Sequence, residues 1–349
     1  SPNERINYYP QQTKNQKMEH TDLKDTPTAG SMIPAVINEI EVLSSGTPFI
    51  EANTVAGTLK EIKGGHLIPV FLKDNEPVIS HAEFIETTLA ATMDIFRGEA
   101  VLKPNIRLSH PIKGRIPEAK HKPANELSES EKTIYYERMA FVIEVPSIYQ
   151  EVDGNRINLT IGGVKAYNLD NLYNRSGVDQ HFKVFIGFKN TVCCNLCITT
   201  DGYLAGLKVK NTDMLRSAIR SMLQEYDAVK AAGCLKEFTE YELTEQQFAQ
   251  LIGRCRMYKH LPDAERQMIP ELMFGDSQIN AVCNEYFKGD AFARGAQGNL
   301  NLWKLYNLFT GANKSSYIDT FADRSLNAFS LVSELLSAVK NRSDCWYLQ

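Results

Sequence analysis

The stretch FKVFIGFKNTVCCNLCITTDGYLAGLKVK (182–210) decides the fold. Phe182, Val184, Ile186 and Phe188 recur at every second residue, the period of a strand with one face in a core. Residues 191–199 read as a further strand, Asp201-Gly202 as a turn, and Tyr203–Val209 as a third strand. Working outward, Met139, Phe141, Ile143 and Val145 alternate in the same way, and Ile157, Leu159 and Ile161 run back. Asp153-Gly154 between them supplies the positive φ angles of a tight hairpin. Connections this short predict an antiparallel meander.

Helical periodicity flanks the meander. Ser80 and Glu83 form a capping box ahead of Ile85, Leu89, Met93 and Phe96, and a strand is expected at 67–72. A helix is expected from Asn211, with Leu215, Ala218, Ile219, Met222 and Tyr226 on one stripe over the sheet. Thr244 and Gln247 make a second capping box, and later stripes surround Trp303 and Leu335. Strands followed by helices, without βαβ alternation, predict an α+β fold: an antiparallel hairpin-rich sheet packed by helices, then a mostly helical C-terminal third. The expected division is a disordered tail at 1–31, a sheet domain at 32–235 and a helical region packed on it at 236–349. Residues 101–124 lose all period among prolines and cations and read as a loop.

The chain has 349 residues, enough for a large core, and a formal charge of −4, which excludes a surface basic all over. Seven cysteines, no export-type leader and no long apolar run predict a reduced, cytoplasmic protein with no membrane segment. Phosphate-cradling GxxxxGK, GxSxG and HExxH patterns are missing, so a binding role is expected ahead of an enzymatic one, with no cofactor and no metal.

RLSHPIKGRIPEAKHKPA (107–124), NLTIGGVKAYNLDNLY (158–173), the stretch at 182–202 and LWKLYNLFTGANKSSYIDTFADRSLNAFSLVSELL (302–336) resemble an uncharacterised phage/plasmid-like protein family of Bacteroidetes mobile elements, a domain of unknown function. The resemblance implies a genetic setting, mobile DNA, and no catalytic residues.

Two basic features carry the functional expectation. Lys103, Arg107, Lys113, Arg115, Lys120 and Lys122, with His110 and His121, face only Glu118, and Gly114 between Lys113 and Arg115 exposes a backbone N–H for a phosphate. A solvated charged loop explains the same residues without a ligand. In the strands, Lys183, Phe185 and Lys189 alternate away from the core set, with Lys208 and Lys210 beside them. An open face of that kind fits single-stranded DNA, because each stacked base contributes about 1–3 kcal/mol while lysines track phosphates. If helices cover both faces, Phe185 is core instead.

The expected function is therefore DNA binding in a mobile element, with single-strand binding or annealing in recombination or replication as its specific form. The expected contacts are Arg107, His110, Lys113, Arg115, Lys183, Phe185, Lys189, Lys208 and Lys210. Two alternatives stand beside it. One is a Mg²⁺-dependent enzyme on nucleic acid using Asp170, Asp179, Asp201 or Asp213, with His181 as a base. The other is a structural or inhibitory protein that binds a host partner, or a second copy, through the helical third. Cys193, Cys194 and Cys197 form a CCxxC group short of the four ligands of a structural zinc site and read as buried thiols. Asp319 and Arg324 are expected to pair across a turn.

Overall fold

The computed structural model describes residues 48–65, 78–171, 179–288, 294–295 and 297–349. The tail expected at 1–31 and the strand expected at 67–72 lie outside them. In chain order the strands are β1 (Thr54–Gly57), β2 (Asn105–Ser109), β3 (Ile112–Arg115), β4 (Lys132–Tyr135), β5 (Arg138–Val152), β6 (Asn155–Ala166), β7 (Gln180–Asn190), β8 (Leu196–Cys197), β9 (Tyr203–Val209), β10 (Glu242–Leu243) and β11 (Leu300–Asn301). The helices are α1 (Leu59–Gly65), α2 (His81–Ile95), α3 (Tyr167–Asn171), α4 (Thr212–Glu225), α5 (Ala228–Glu237), α6 (Glu245–Tyr258), α7 (Asp263–Arg266), α8 (Asp276–Phe287), α9 (Leu302–Asn313) and α10 (Ile318–Asn341).

The fold is α+β, with an antiparallel sheet in the N-terminal part and helices in the C-terminal part. The main sheet runs β1-β2-β5-β6-β7, and both β8 and β9 pair on the far side of β7. The expected meander is its centre, and Asp153 (φ 50°) and Gly154 (φ 71°) close the β5–β6 hairpin in left-handed conformations. Residues 191–199 do not form the long strand their composition suggests. Cys194 turns the chain at φ 58°, only Leu196–Cys197 join the ladder, and Thr200–Gly202 form a 3₁₀ turn that delivers β9 to β7 instead of to β8. Gly202 is needed there because a Cβ would stand 2.1 Å from the Ile186 carbonyl oxygen.

Both faces of the sheet are covered, and the alternation of β7 divides the two cores. Phe182, Val184, Ile186 and Phe188 enter the larger one, where Phe84 of α2 meets Phe141 and Phe182 at ring separations of 5.1 and 4.8 Å and α4 adds Leu215 and Ile219. On the opposite face Ala140, Val142, Val164 and Phe185 pack under Ile318, Phe321 and Ala322 of α10. Gly162 and Gly163 in β6 make room for this double cover. A Cβ on Gly162 would lie 2.5 Å from the Phe185 ring and 2.4 Å from the Phe141 carbonyl oxygen; one on Gly163 would lie 2.4 Å from the Phe84 ring.

The capping boxes at Ser80 and Thr244 are present, and Asn211 caps α4. Trp303, Tyr306 and Phe309 of α9 are fully buried, and the helical third shares the larger core with the sheet. Asn313, Ser316 and Gln278 form a buried hydrogen-bonded chain at the α9–α10 turn. Arg324 joins it by donating to Ser316 and to the Met273 carbonyl; the Asp319 carboxylate faces Arg138 at 3.9 Å and acts on Arg324 through its charge without closing the expected ion pair with it. The described residues cluster as one compact unit. Among the described residues no helix is long and apolar enough to cross a membrane.

Candidate nucleic-acid interface

The β7 cations do not face an open surface, which corrects the central geometric expectation. Phe185 is 1% exposed, sealed beneath the first turns of α10. Lys183 donates to the Asp323 carboxylate and to the Asp319 carbonyl, both at 2.6 Å, so α10 supplies acceptors for the lysine beneath it. Lys189 is 6% exposed and bonds the Glu144 carboxylate of β5 at 2.6 Å. Alternation along β7 is as expected; the difference is a helix whose acidic residues neutralise one lysine and whose apolar residues cover the aromatic. Every side chain proposed for stacking or phosphate contact on this strand is thereby consumed internally.

A bulge changes β9 as well. Val184 pairs with Leu204 and Phe182 with Leu207, so Ala205 and Gly206 stand opposite Lys183 alone. Tyr203 consequently faces the α10 side, not the main core, and gives its hydroxyl proton to Asp323 at 2.5 Å. Lys208 and Lys210 remain exposed, as expected. Lys208 sits on β9 and Lys210 just past its end, with β5, β6 and β7 between them and β2.

The basic segment is more ordered than a loop. Residues 105–109 add β2 to the sheet, and β3 pairs with β4 as a separate two-stranded arm. Arg107 turns inward: its guanidinium donates to the Thr54 hydroxyl at 2.9 Å and carbonyl at 3.1 Å, and burial lowers its pKa. His110 and Lys113 are exposed, as are Lys120 and His121 in the connection between β3 and β4. Arg115 donates to the Lys122 carbonyl, which folds the connection back on the arm. Lys122 bonds Glu131 at 2.5 Å, and with the Ser128 N–H and hydroxyl it holds the Glu131 carboxyl down to about 2. Lys113 and Lys120 make no ion pair among the described residues. The arm also exposes Ile112 and Ile134, an unusual position for large apolar side chains on a two-stranded ribbon.

The most deeply buried charge was not singled out from sequence. Lys165, the lysine of IGGVKAY, is fully buried and bonds Asp170 at 2.5 Å, with its ammonium 4.1 Å from the Phe182 ring centre. Asp170 also accepts the His181 N–H at 2.9 Å, so one carboxylate joins β6, α3 and β7. Burial lowers the Lys165 pKa and pushes the Tyr167 hydroxyl up; Tyr167 stacks on His81 at 4.2 Å. A lysine closing a strand of aliphatics gives no sequence signal that separates this role from an exposed one. Asp201 pairs with Lys230 at 3.0 Å, and Asp213 occupies the first turn of α4. Among the described residues no three His, Cys, Asp or Glu side chains converge as metal ligands. Cys194 and Cys197 are buried and Cys193 partly so; burial raises the Cys193 and Cys197 thiols.

No curated protein matches this sequence, and no solved structure does. A family model described as "Domain of unknown function, B. Theta Gene description" (DUF3871) matches residues 32–348. With nearly the whole chain inside that match, from before the first described strand to the last residue but one, the protein belongs to this family of unknown function.

Proposed function

We propose that the protein binds DNA through the β3–β4 arm and its connection, with Lys113, Lys120, His110 and His121 as the phosphate-facing set and Arg115 shaping the loop between them. The observation that carries this reading is the contrast in commitment: Lys113 and Lys120 are exposed and unpaired among the described residues, whereas Lys183 and Lys189 are spent on carboxylates. A two-stranded ribbon has the width to enter a major groove about 12 Å across. Exposed Ile134, cross-strand from Lys113 and so on the same face of the ribbon, offers an apolar contact for base methyls or a widened step. Base stacking on Phe185 is not part of this reading. The mobile-element setting implied by the resemblance, and a role in recombination or replication there, are consistent with it.

The test is fluorescence anisotropy with labelled single- and double-stranded oligonucleotides across a range of salt. Binding should weaken steeply with salt, and the log–log slope should fall by about one for each phosphate contact removed by Lys113→Glu or Lys120→Glu. Duplex should bind at least as well as single strand. Flat titrations at low salt, or equal affinity in the Lys113→Glu/Lys120→Glu variant, would overturn the proposal.

A further inference from the structure

A groove of about 450 Å³ lies where α10 crosses the end of the sheet, between β9 and the segment around Met273. Its size falls in the range of about 300–1,000 Å³ occupied by ligand sites. Leu326 and Leu331 of α10 and Met273 opposite them form an apolar floor, and Tyr203 and Ala205 of β9 make the other wall. Its charge is of one sign. Asp323 lies at one end, already bonded to Lys183 and Tyr203, while Glu271 and Glu334 stand exposed on the rim with no ion pair among the described residues. No lysine or arginine lines it.

The wall formed by β9 is also an edge. Among the described strands β9 pairs with β7 alone, and its bulged residues Ala205 and Gly206 are exposed and outside the ladder. A helix lying beside a sheet edge, with a narrow apolar floor between them, is the arrangement that accepts an extended peptide, whose backbone meets the edge while alternate side chains enter the groove. The rim selects the sign of those side chains, because two unpaired carboxylates beside an apolar floor favour a long cationic group whose methylene stem lies on Leu326 and Met273. The carboxylates do not close on a metal: no three acidic, histidine or cysteine side chains converge among the described residues.

We infer that this groove binds an extended segment of a partner protein in which arginine or lysine alternates with apolar residues. The inference is independent of the DNA reading, since the groove shares no residue with the β3–β4 arm.

Anisotropy of a short labelled peptide alternating arginine and leucine, titrated with the full chain, tests it, with a glutamate–leucine peptide as control. The cationic peptide should bind with an affinity that falls as salt is raised, the acidic one should not bind, and Glu271→Lys/Glu334→Lys should weaken binding about tenfold or more. Leu326→Asp should weaken it at every salt concentration, and circular dichroism should show both variants folded. Absence of binding by the cationic peptide, equal binding of the two peptides, or binding unchanged in the double charge reversal would overturn the inference. So would sedimentation of the protein alone showing a dimer that the same charge reversal dissociates, because the groove would then be filled by a second copy.

Discussion

Strand β7 and the β3–β4 arm carry the same residue types, lysines alternating with large apolar side chains, and end in opposite states. On β7 both edges are paired, with β6 on one side and β8 and β9 on the other, the sheet is wide enough to be roofed twice, and Lys183 and Lys189 each meet a carboxylate placed to receive them. On the arm two short strands pair only with each other among the described strands, α1 touches β4 without roofing the ribbon, and Ile112, Lys113 and Ile134 stay at the surface. What separates the two is width of sheet. A lysine in a broad sheet is part of the packing, and the same lysine on a ribbon is available for contact.

The largest effect that could break this contrast is at Phe185. Phe185→Ala should lower unfolding free energy in urea by about 3–5 kcal/mol, as for a ring removed from a closed core; a loss under about 0.5 kcal/mol, normal for a surface position, would restore the open-face reading. Lys189→Met should cost about 3 kcal/mol because it strands the Glu144 carboxylate in the interior, and adding Glu144→Leu should recover most of that loss. The pH dependence is next. Burial holds His181 below its ordinary value near 6.5, so the unfolded chain takes up the proton first and this contribution, intact above that value, is lost as pH falls toward the folded-state pKa. His181→Asn should flatten that part of the acid limb in chemical denaturation. Smallest for stability is Lys113→Glu, which should shift unfolding by no more than about 0.5 kcal/mol while changing oligonucleotide binding.

Much of the fold was legible because its signals are local. The Asp153-Gly154 hairpin, the boxes at Ser80 and Thr244 and the alternation of β7 each depend on residues a few positions apart. The covering of the second face was not, because it depends on Phe185 being buried in one cluster with Ile318, Phe321 and Ala322, residues far away in sequence whose strand and helix each look amphipathic alone. The β9 bulge escaped for a related reason: alternation in 203–209 is compatible with either face until Lys183 fixes the register. The arm was hidden by composition. Prolines and cations at 111–123 mask strands too short to show a period, although the pattern of Lys132–Tyr135 carries a trace of one. Of the nine expected contacts, those whose exposure was right lie where the chain has few neighbours.

At Gly162 and Gly163 the rings of Phe185 and Phe84 lie against bare main chain. Phe84 and Phe185 therefore rest on opposite sides of one peptide thickness, and neither ring has slack to absorb a methyl group from below. Members of the family that place alanine at either glycine should carry a smaller side chain above it, so that these positions vary as pairs: 162 with 185, and 163 with 84.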